Sequence, residues 1–379
     1  MVPIFARTAE GKIRPGIVAS PAAAFATSVR DVEEKELGGI SLLRLSSTTD
    51  LRRIVKDLEA TRGIEYCHRV PARWLAGAKA KASSADPLVN RQWGLRAIRW
   101  FDTEPLPDAR IVKVAVLDTG VDNTHLELAS VTAGYVHAGT SAADVVGHGT
   151  HVCGIIAAEP NNHIGIAGIC RCQLHVWKIF GDEPAPDGEF YVDELLYQRA
   201  LNAARRAGMR VVNMSIGGTQ RNPTEELLFQ NWMAAGATVV AAMGNEFQEG
   251  NPTEYPAAYP GVVAVGATNE ANQRAPFSNT GRHIALLAPG TNILSTLPQK
   301  PSIARPPNQT EYAAWSGTSM ATPHVTAATA LVLAAHPDFS QEKVAKRLKI
   351  SAARLPGMGT RKRTNEYGSG LLDPKKAVA

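Results

Sequence analysis

The run Ile-Val-Lys-Val-Ala-Val-Leu-Asp-Thr-Gly, residues 111–120, decides the fold. Its first seven residues are apolar apart from Lys113, as expected of a strand that is buried on both faces of a parallel sheet. Asp118 follows directly at the carboxyl end of this strand, and Gly120 allows the chain to turn there. Because parallel sheets carry their active sites at the carboxyl ends of their strands, the run indicates where function lies.

Four further apolar runs predict buried strands of the same kind: Leu174–Ile179, Arg210–Met214, Thr238–Met243 and Gly261–Ala267. Helical patterns alternate with them, near residues 148–158, 191–207, 224–236, 319–336 and 340–352. This alternation predicts an α/β fold in which helices cover both faces of a mostly parallel central sheet.

A smaller unit precedes this region. Residues 39–47 alternate in polarity and predict a strand, residues 50–62 place apolar side chains on one helical face, and Ile64–Trp74 predict a second strand. Residues 76–85 have no periodicity and no bulky side chain, which predicts a linker. We therefore divide the chain into a small α+β domain at 1–75, a linker at 76–85 and a main domain at 86–379.

The composition is that of a globular protein, with 44% hydrophobic and 20% charged residues. No apolar run reaches the roughly 18 residues that a membrane-spanning helix needs, so no membrane partner is expected. The net charge of +5 is diffuse, and its densest cluster is Arg361-Lys362-Arg363. A nucleic-acid patch stays open there, but we interpret the cluster as a solvated loop and expect no nucleic-acid partner. A monomer is the expected state.

The chain contains four cysteines, Cys67, Cys153, Cys170 and Cys172. Four are too few for a disulfide scaffold in a chain of this size. Cys170-x-Cys172 could begin a metal site, but no second pair of Cys or His has matching spacing. We therefore expect small buried thiols.

The N-terminus gives little support to a secretory signal. An Ala-rich stretch ending at residues 22–26 would offer a cleavage site of small residues, but Pro15, Gly16 and Pro21 interrupt the apolar region. We therefore expect a cytoplasmic protein. The alternative is a secreted protein from which the signal has been removed.

Three further polar side chains stand in short motifs of small residues. His148 lies in Gly-His-Gly-Thr at a predicted helix start, and Ser319 lies in Gly-Thr-Ser-Met-Ala where a long apolar helix begins. Asn245 follows a predicted strand in Met-Gly-Asn. The small neighbours leave each side chain open to approach.

These residue types combine into one chemistry. A serine hydroxyl is a poor nucleophile until a base takes its proton, and that base needs a buried carboxylate to fix its tautomer. Asn245 can donate to an oxyanion together with the Ser319 N–H, and one such donor typically contributes roughly 2.7–4 kcal/mol to the transition state.

In the order Asp118, His148, Asn245 and Ser319, these motifs resemble the subtilisin-like serine peptidases, over about residues 86–379. The resemblance implies a three-layer subtilisin-like α/β fold and an endopeptidase that cleaves protein or peptide substrates through an acyl-enzyme, with no cofactor for catalysis. Ser319 would be the nucleophile, His148 the base and Asp118 its orienting carboxylate. Asp122, His151 and His324 lie within the motifs but are expected to be structural.

The segment Asn213–Gly218 resembles the family's substrate-binding edge, where an extended peptide adds as a β-strand. Ser215 and Gly217 would contact the substrate, and the loop around Gly188 would supply the opposing strand. Glu254, aligned through Tyr255-Pro256, falls at the bottom of the P1 pocket, where a carboxylate would favour Lys or Arg. The alternative is that Glu254 points to solvent.

The resemblance also implies a structural Ca²⁺ bound by oxygen ligands. The candidate ligands are Asp86, Glu127 and, in the loop after the His148 helix, Glu159, Asn162, Ile164 and Ile166. Two departures count against the site: the family often has Asp at the position of Glu127, and the loop is one residue longer.

Residues 1–75 resemble the family's N-terminal propeptide, which assists folding and occupies the cleft until it is cut. We therefore expect a zymogen whose own N-terminal segment is an intramolecular inhibitor, with cleavage in the linker at Lys79 or Lys81. A permanent accessory domain is the alternative. Two other functions also stay open, namely an inactive binding module on this fold and a peptide ligase.

Overall fold

The structure, a computed structural model, describes residues 86–379 except 104, 129–130, 187, 189, 301 and 304–310. Before residue 86 it describes residues 2–8, 26–31, 40–45, 56, 60 and 64–69. The chain divides into two compact units, Met1–Ala82 and Ser83–Ala379.

The N-terminal unit contains a four-stranded antiparallel sheet in the order β2-β3-β1-β4. Its strands are β1 (Val2–Thr8), β2 (Ala26–Asp31), β3 (Ile40–Leu45) and β4 (Ile64–Arg69). The sequence predicted β3 and β4 but not β1, which lies between them and runs antiparallel to both. The second predicted strand, Ile64–Trp74, is described over Ile64–Arg69, and its residues 70–74 lie outside the described residues. The predicted helix at 50–62, apart from residues 56 and 60, and the predicted linker at 76–85 lie outside the described residues.

The main unit is built on a seven-stranded sheet in which each pair of neighbouring strands is parallel. The strands are β5 (Lys113–Asp118), β6 (Val131–Val136), β7 (Gln173–Lys178), β8 (Val211–Met214), β9 (Thr238–Ala242), β10 (Val263–Thr268) and β11 (Ile284–Pro289). Their order is β11-β10-β9-β8-β5-β7-β6. An antiparallel hairpin of β12 (Ile293–Thr296) and β13 (Tyr312–Trp315) lies outside this sheet.

The helices of the main unit are α1 (Trp93–Ala97), α2 (His148–Ala157), α3 (Glu194–Arg206), α4 (Pro223–Ala234), α5 (Thr318–Ala335), α6 (Gln341–Ser351) and α7 (Pro374–Val378). No described helix combines the length and the apolar character needed to cross a bilayer.

Alternate residues of β5 enter two separate cores. Val114 and Val116 pack in the cluster that contains α2, α5 and α6, whereas Ala115 and Leu117 pack in the cluster that contains α3 and α4. The fold is therefore three-layered, with helices on both faces of the sheet, as the sequence predicted. The strands β6 and β11 were not predicted. The edge strand β6 is partly exposed, and Gly134 interrupts the apolar pattern of its sequence.

Candidate active site

The carboxylate at the end of β5 lies beside the imidazole at the start of α2. Asp118 Oδ1 is 2.7 Å from His148 Nδ1 and also accepts the N–H of Thr119 at 2.8 Å. Asp118 is completely buried, whereas the His148 side chain is 24% exposed. Burial lowers the pKa of His148, but the charge and hydrogen bond of Asp118, with the charge of Asp144, outweigh it and raise that pKa above 6.5.

Glycines allow the two motifs to meet. A Cβ at Gly149 would overlap the carbonyl oxygen of Gly120, so the helix start could not approach the turn after Asp118 with a larger residue. Gly147, which caps α2, has φ 104°, a left-handed conformation that favours glycine.

Asp144, which the sequence analysis did not identify, ties these motifs together. Its buried carboxylate accepts the hydroxyls of Thr119 at 2.9 Å and Thr150 at 2.7 Å. It also accepts the N–H groups of Gly147 at 2.7 Å and Thr150 at 2.8 Å. The available signal was a carboxylate just before a helix start, where unpaired N–H groups attract negative charge.

Ser319 is the second residue of α5 and lines the same cleft as His148. Its hydroxyl donates to the carbonyl oxygen of Ser215 at 3.1 Å, not to the imidazole. The structure thus brings the two groups into one cleft without a direct hydrogen bond. Catalytic hydrogen bonds often tighten only when substrate is bound.

Pro323 explains how Ser215 supports the start of α5. Proline has no N–H, so the Ser319 carbonyl lacks its usual helical donor four residues later. The Ser215 hydroxyl donates to that carbonyl at 2.9 Å instead. It also accepts from the amide of Asn213 at 2.9 Å, and the oxygen of that amide accepts the Thr326 hydroxyl at 2.8 Å. Ser215 therefore positions the nucleophile turn.

Asn245 lies where the sequence predicted an oxyanion donor. Its Oδ1 accepts the N–H of Thr318 at 2.8 Å and the Thr318 hydroxyl at 3.1 Å. Because the oxygen is engaged, the amide nitrogen is the atom available as a donor in the cleft that Asn245 and Ser319 both line.

A cleft of about 770 Å³ contains these residues. Ser215–Gly218 form one wall, and Phe190, Tyr191 and Val192 lie on another. Gly188 is exposed on a turn with φ 87° and is not among the described residues that line the cleft. The predicted opposing loop thus contributes through the residues after Gly188.

Glu254 lines the cleft and is only 6% exposed, so it does not point into bulk solvent. Its carboxylate lies between Gly217 and Gly244, where a Cβ on either glycine would overlap it. The amide of Asn279 donates to Glu254 Oε1 at 3.0 Å.

Glu246, which sequence analysis missed, lines the same cleft. Its Oε2 accepts the N–H of Asn245 at 2.6 Å and the amide of Asn279 at 3.3 Å. Burial, followed by the hydrogen bond and charge of Glu246, raises the pKa of Glu254 to about 8. The hydrogen bond from Glu254 lowers the pKa of Glu246.

The predicted calcium ligands form a hydrogen-bonded network. Glu127 is completely buried; its Oε1 accepts the N–H of Ile166 at 2.7 Å and the Tyr312 hydroxyl at 3.0 Å. The amide nitrogen of Asn162 donates to Glu127 Oε2 at 3.0 Å, while the amide oxygen accepts the N–H of Ile164 at 2.7 Å. If Glu127 and Asn162 shared a calcium ion, the amide oxygen of Asn162 rather than its nitrogen would lie on the side of Glu127.

Two of the other predicted ligands, Asp86 and Glu159, are also engaged by donors. Asp86 accepts the N–H groups of Asn161 at 2.9 Å and His163 at 3.1 Å, and the Glu159 carboxylate pairs with Arg171 at 3.0 Å. Within the described residues, no group of three or more His, Cys, Asp and Glu could hold a metal ion. In this structure, calcium binding would require Asp86, Glu127 and Asn162 to give up these hydrogen bonds.

Two histidines near the site are packed structurally. His151 stacks on Trp315 at 4.7 Å, its Nε2 lies 3.1 Å from the Ala313 carbonyl, and burial lowers its pKa to about 3. His324 bonds the Met320 carbonyl at 2.8 Å, and burial lowers its pKa to about 4.

Asp122, the third residue expected to be structural, accepts the N–H groups of Thr124 at 2.9 Å and Gln299 at 2.7 Å. Among the cysteines, Cys153, Cys170 and Cys172 are buried free thiols.

Comparisons with known proteins show the family to which the chain belongs. The sequence model of the Subtilase family matches residues 109–370. Subtilisin from Bacillus pumilus is 37% identical over 273 residues, which cover 70% of this chain and 90% of that protein. Subtilisin BL from Lederbergia lenta is 39% identical over 270 residues, with the same two coverages.

Fervidolysin from Fervidobacterium pennivorans, a keratinolytic enzyme related to subtilisin, has a similar crystal structure. Its TM-score is 0.68 at 26% identity, and the match covers all of this chain and 60% of fervidolysin. The chain therefore belongs to the subtilase family and is a subtilisin-like serine endopeptidase.

Proposed function

We propose that this chain hydrolyses internal peptide bonds through an acyl-enzyme on Ser319. The observation that carries the proposal is the hydrogen bond between Asp118 and His148, whose imidazole lines the same cleft as Ser319. His148 takes the Ser319 proton as the oxygen attacks the scissile carbonyl, and Asp118 stabilises the imidazolium. His148 then gives the proton to the leaving amine, and water releases the acyl group by the reverse sequence.

The oxyanion of the tetrahedral intermediate lies beside two donors in this mechanism. The amide nitrogen of Asn245 is one, since the Asn245 oxygen already accepts from Thr318. The Ser319 N–H, in the first turn of α5, is the other. Both are held before the substrate arrives, which is why such donors stabilise the transition state more than the ground state.

The substrate would lie extended along Ser215–Gly217 and pair through its backbone. We propose that the P1 side chain enters the pocket that contains Glu254 and that Lys or Arg is preferred there. The support is a buried carboxylate that lies against Gly217 and Gly244 and lines the same cleft as Ser319.

The N-terminal unit is proposed to be a propeptide. Its antiparallel sheet is compact in itself, and the similarity to fervidolysin covers the whole of this chain. In this proposal the chain is a monomeric zymogen, its own N-terminal segment is the inhibitor, and Lys79 or Lys81 in the linker 76–85 is the P1 residue of self-cleavage.

Intact mass over time, for the wild type beside Ser319→Ala, tests the proposal. We expect only the wild type to lose its N-terminal segment, and the new N-terminus reports the P1 residue. The summed fragment masses should exceed the parent mass by one water, whereas a ligase would join the acyl group to an amine. If the wild type neither cleaves itself nor cleaves added peptides nor reacts with a fluorophosphonate, the proposed activity is wrong.

A further inference from the structure

Two carboxyl groups face one another in the pocket that is proposed to receive P1. We propose that Glu246 and Glu254 share one proton and thereby make the choice of P1 side chain depend on pH. A basic P1 residue is favoured above neutral pH, and a neutral P1 residue is accepted below it. This inference rests on the proposed endopeptidase activity and its P1 pocket.

The side chain of Asn279 shows how close the two groups are. One amide nitrogen donates to Glu254 Oε1 at 3.0 Å, to Glu246 Oε2 at 3.3 Å and to the carbonyl of Pro252 at 3.2 Å. Two carboxylates that converge on one donor repel each other strongly if both are ionised. Holding one proton between them removes this repulsion.

The surroundings decide which group keeps the proton. The N–H of Asn245 donates to Glu246 at 2.6 Å and favours its ionised form, whereas Glu254 is the more deeply buried of the two. Burial and the neighbouring anion together raise the pKa of Glu254 to about 8. Glu254 therefore carries the proton at neutral pH.

Other charged groups face the cleft or lie on the adjoining loop. His148, Glu194 and Glu225 line the same cleft. Arg274, on the loop that carries Asn279, lies 3.8 Å from the Phe247 ring and donates to the Ser278 carbonyl at 2.6 Å. No described salt bridge joins a cation to Glu246 or Glu254.

Binding of a basic P1 residue changes the protonation of Glu254. When a P1 Lys or Arg enters, the O–H bond of Glu254 breaks, the proton passes to solvent and the carboxylate pairs with the cation. Binding of a basic P1 residue thus releases a proton and strengthens as pH rises. A neutral P1 residue leaves the proton in place and gains nothing from higher pH.

The test compares two peptides that differ only at P1, with Lys in one and norleucine in the other. The ratio of their kcat/KM values cancels the titration of His148, because both peptides depend on the same base. Lysine stays charged to pH 9. For the wild type we expect the Lys/norleucine ratio to rise about tenfold from pH 6 to pH 9.

Three variants make the test specific. In Glu254→Gln the ratio should change less than about twofold over that range, because the group that gains and loses the proton is gone. In Glu246→Gln the rise should be smaller and begin at lower pH, because burial still raises the pKa of Glu254 but the neighbouring anion no longer does. The control is Glu249→Gln, an exposed residue on the neighbouring turn outside the described lining of the cleft, and it should keep the rise. A flat wild-type ratio, or a rise that survives in Glu254→Gln, overturns the inference while leaving the peptidase proposal intact.

If no variant cleaves either peptide, the peptidase proposal fails and the pair is examined by itself. Carbon-13 NMR of labelled Glu carboxyl groups then follows the titration of the wild type and of both pocket variants. A carboxyl group that titrates near neutral pH, is lost in Glu254→Gln and shifts to lower pH in Glu246→Gln supports the shared proton. The lack of any such dependence on both residues overturns it.

Discussion

Asp118 and Glu127 are both completely buried carboxylates, but their surroundings differ. Asp118 Oδ1 contacts His148, while Asp118 Oδ2 has no hydrogen-bond partner among the described residues. Both oxygens of Glu127 accept hydrogen bonds, and every donor is neutral. A buried carboxylate oxygen without a hydrogen-bond donor costs free energy. The fold supplies donors to both oxygens of Glu127, but it leaves Oδ2 of Asp118 without one among the described residues.

The partners explain the difference. The imidazole beside Asp118 can accept a proton, and a carboxylate with few other hydrogen bonds stabilises the resulting imidazolium strongly. The amide, hydroxyl and N–H donors around Glu127 cannot take up a proton near neutral pH. They stabilise the carboxylate by hydrogen bonding and hold the loop at residues 161–166. One carboxylate thus serves chemistry and the other serves stability.

The largest effect should follow from Asp118→Asn. The amide keeps the size of the side chain but can neither fix the required tautomer of His148 nor stabilise its charged form. We expect kcat to fall about 10⁴-fold, measured with a chromogenic peptide, while the melting temperature changes little.

Asp122→Asn is the matched control, because Asp122 belongs to the same turn but its carboxylate accepts hydrogen bonds only from Thr124 and Gln299 among the described residues. It should retain kcat within about threefold, since surface turns of this kind affect stability more than chemistry. Equal losses in both variants would mean that Asp118 acts only by holding the turn.

Glu127→Gln should have the opposite profile. One accepting oxygen becomes an NH₂ group that faces a donor, either Asn162 or the pair of Ile166 and Tyr312. We expect the free energy of unfolding, measured by urea titration, to fall by about 1–3 kcal/mol. At temperatures where the variant stays folded, kcat should be nearly unchanged.

Two controls separate this network from a metal site. Glu159→Gln removes a half-exposed pair with Arg171 on the same loop and should cost at most about 0.5 kcal/mol. A chelator should shift the wild-type melting temperature by less than about 2 °C, because the side-chain oxygens of Asp86, Glu127 and Asn162 already accept hydrogen bonds. A large shift that calcium restores would show that these residues do bind an ion.

The sequence predicted those parts of the site that depend on local motifs. Asp118, His148, Ser319 and Asn245 each stand at the end of a strand or the start of a helix, where short runs of small and apolar residues are diagnostic. It did not predict Asp144 or the support of Ser319 by Ser215, because those bonds join residues far apart in the chain.

The calcium prediction shows a second limit. Sequence supplies the types of ligand, but not whether the oxygen or the nitrogen of Asn162 faces Glu127, and that orientation decides between an ion and a hydrogen bond. The N-terminal sheet shows the same limit for topology, because β1 pairs with β3 and β4 across the chain and carries no local signal of that position.

Glu254 differs from both Asp118 and Glu127, because its neighbour Glu246 is another carboxyl group. Its folded pKa of about 8 exceeds the ordinary value of 4.5, so the folded state holds a proton that the unfolded chain releases. Stability from this group is present below about pH 4.5 and is lost as pH rises towards 8. We therefore expect Glu254→Gln to raise the free energy of unfolding by about 1 kcal/mol more at pH 9 than at pH 5. Urea titration measures this in the Ser319→Ala protein, with and without the Glu254→Gln change. An identical difference at both pH values would mean that Glu254 is ionised throughout, and that it resembles Asp118 rather than a protonated acid.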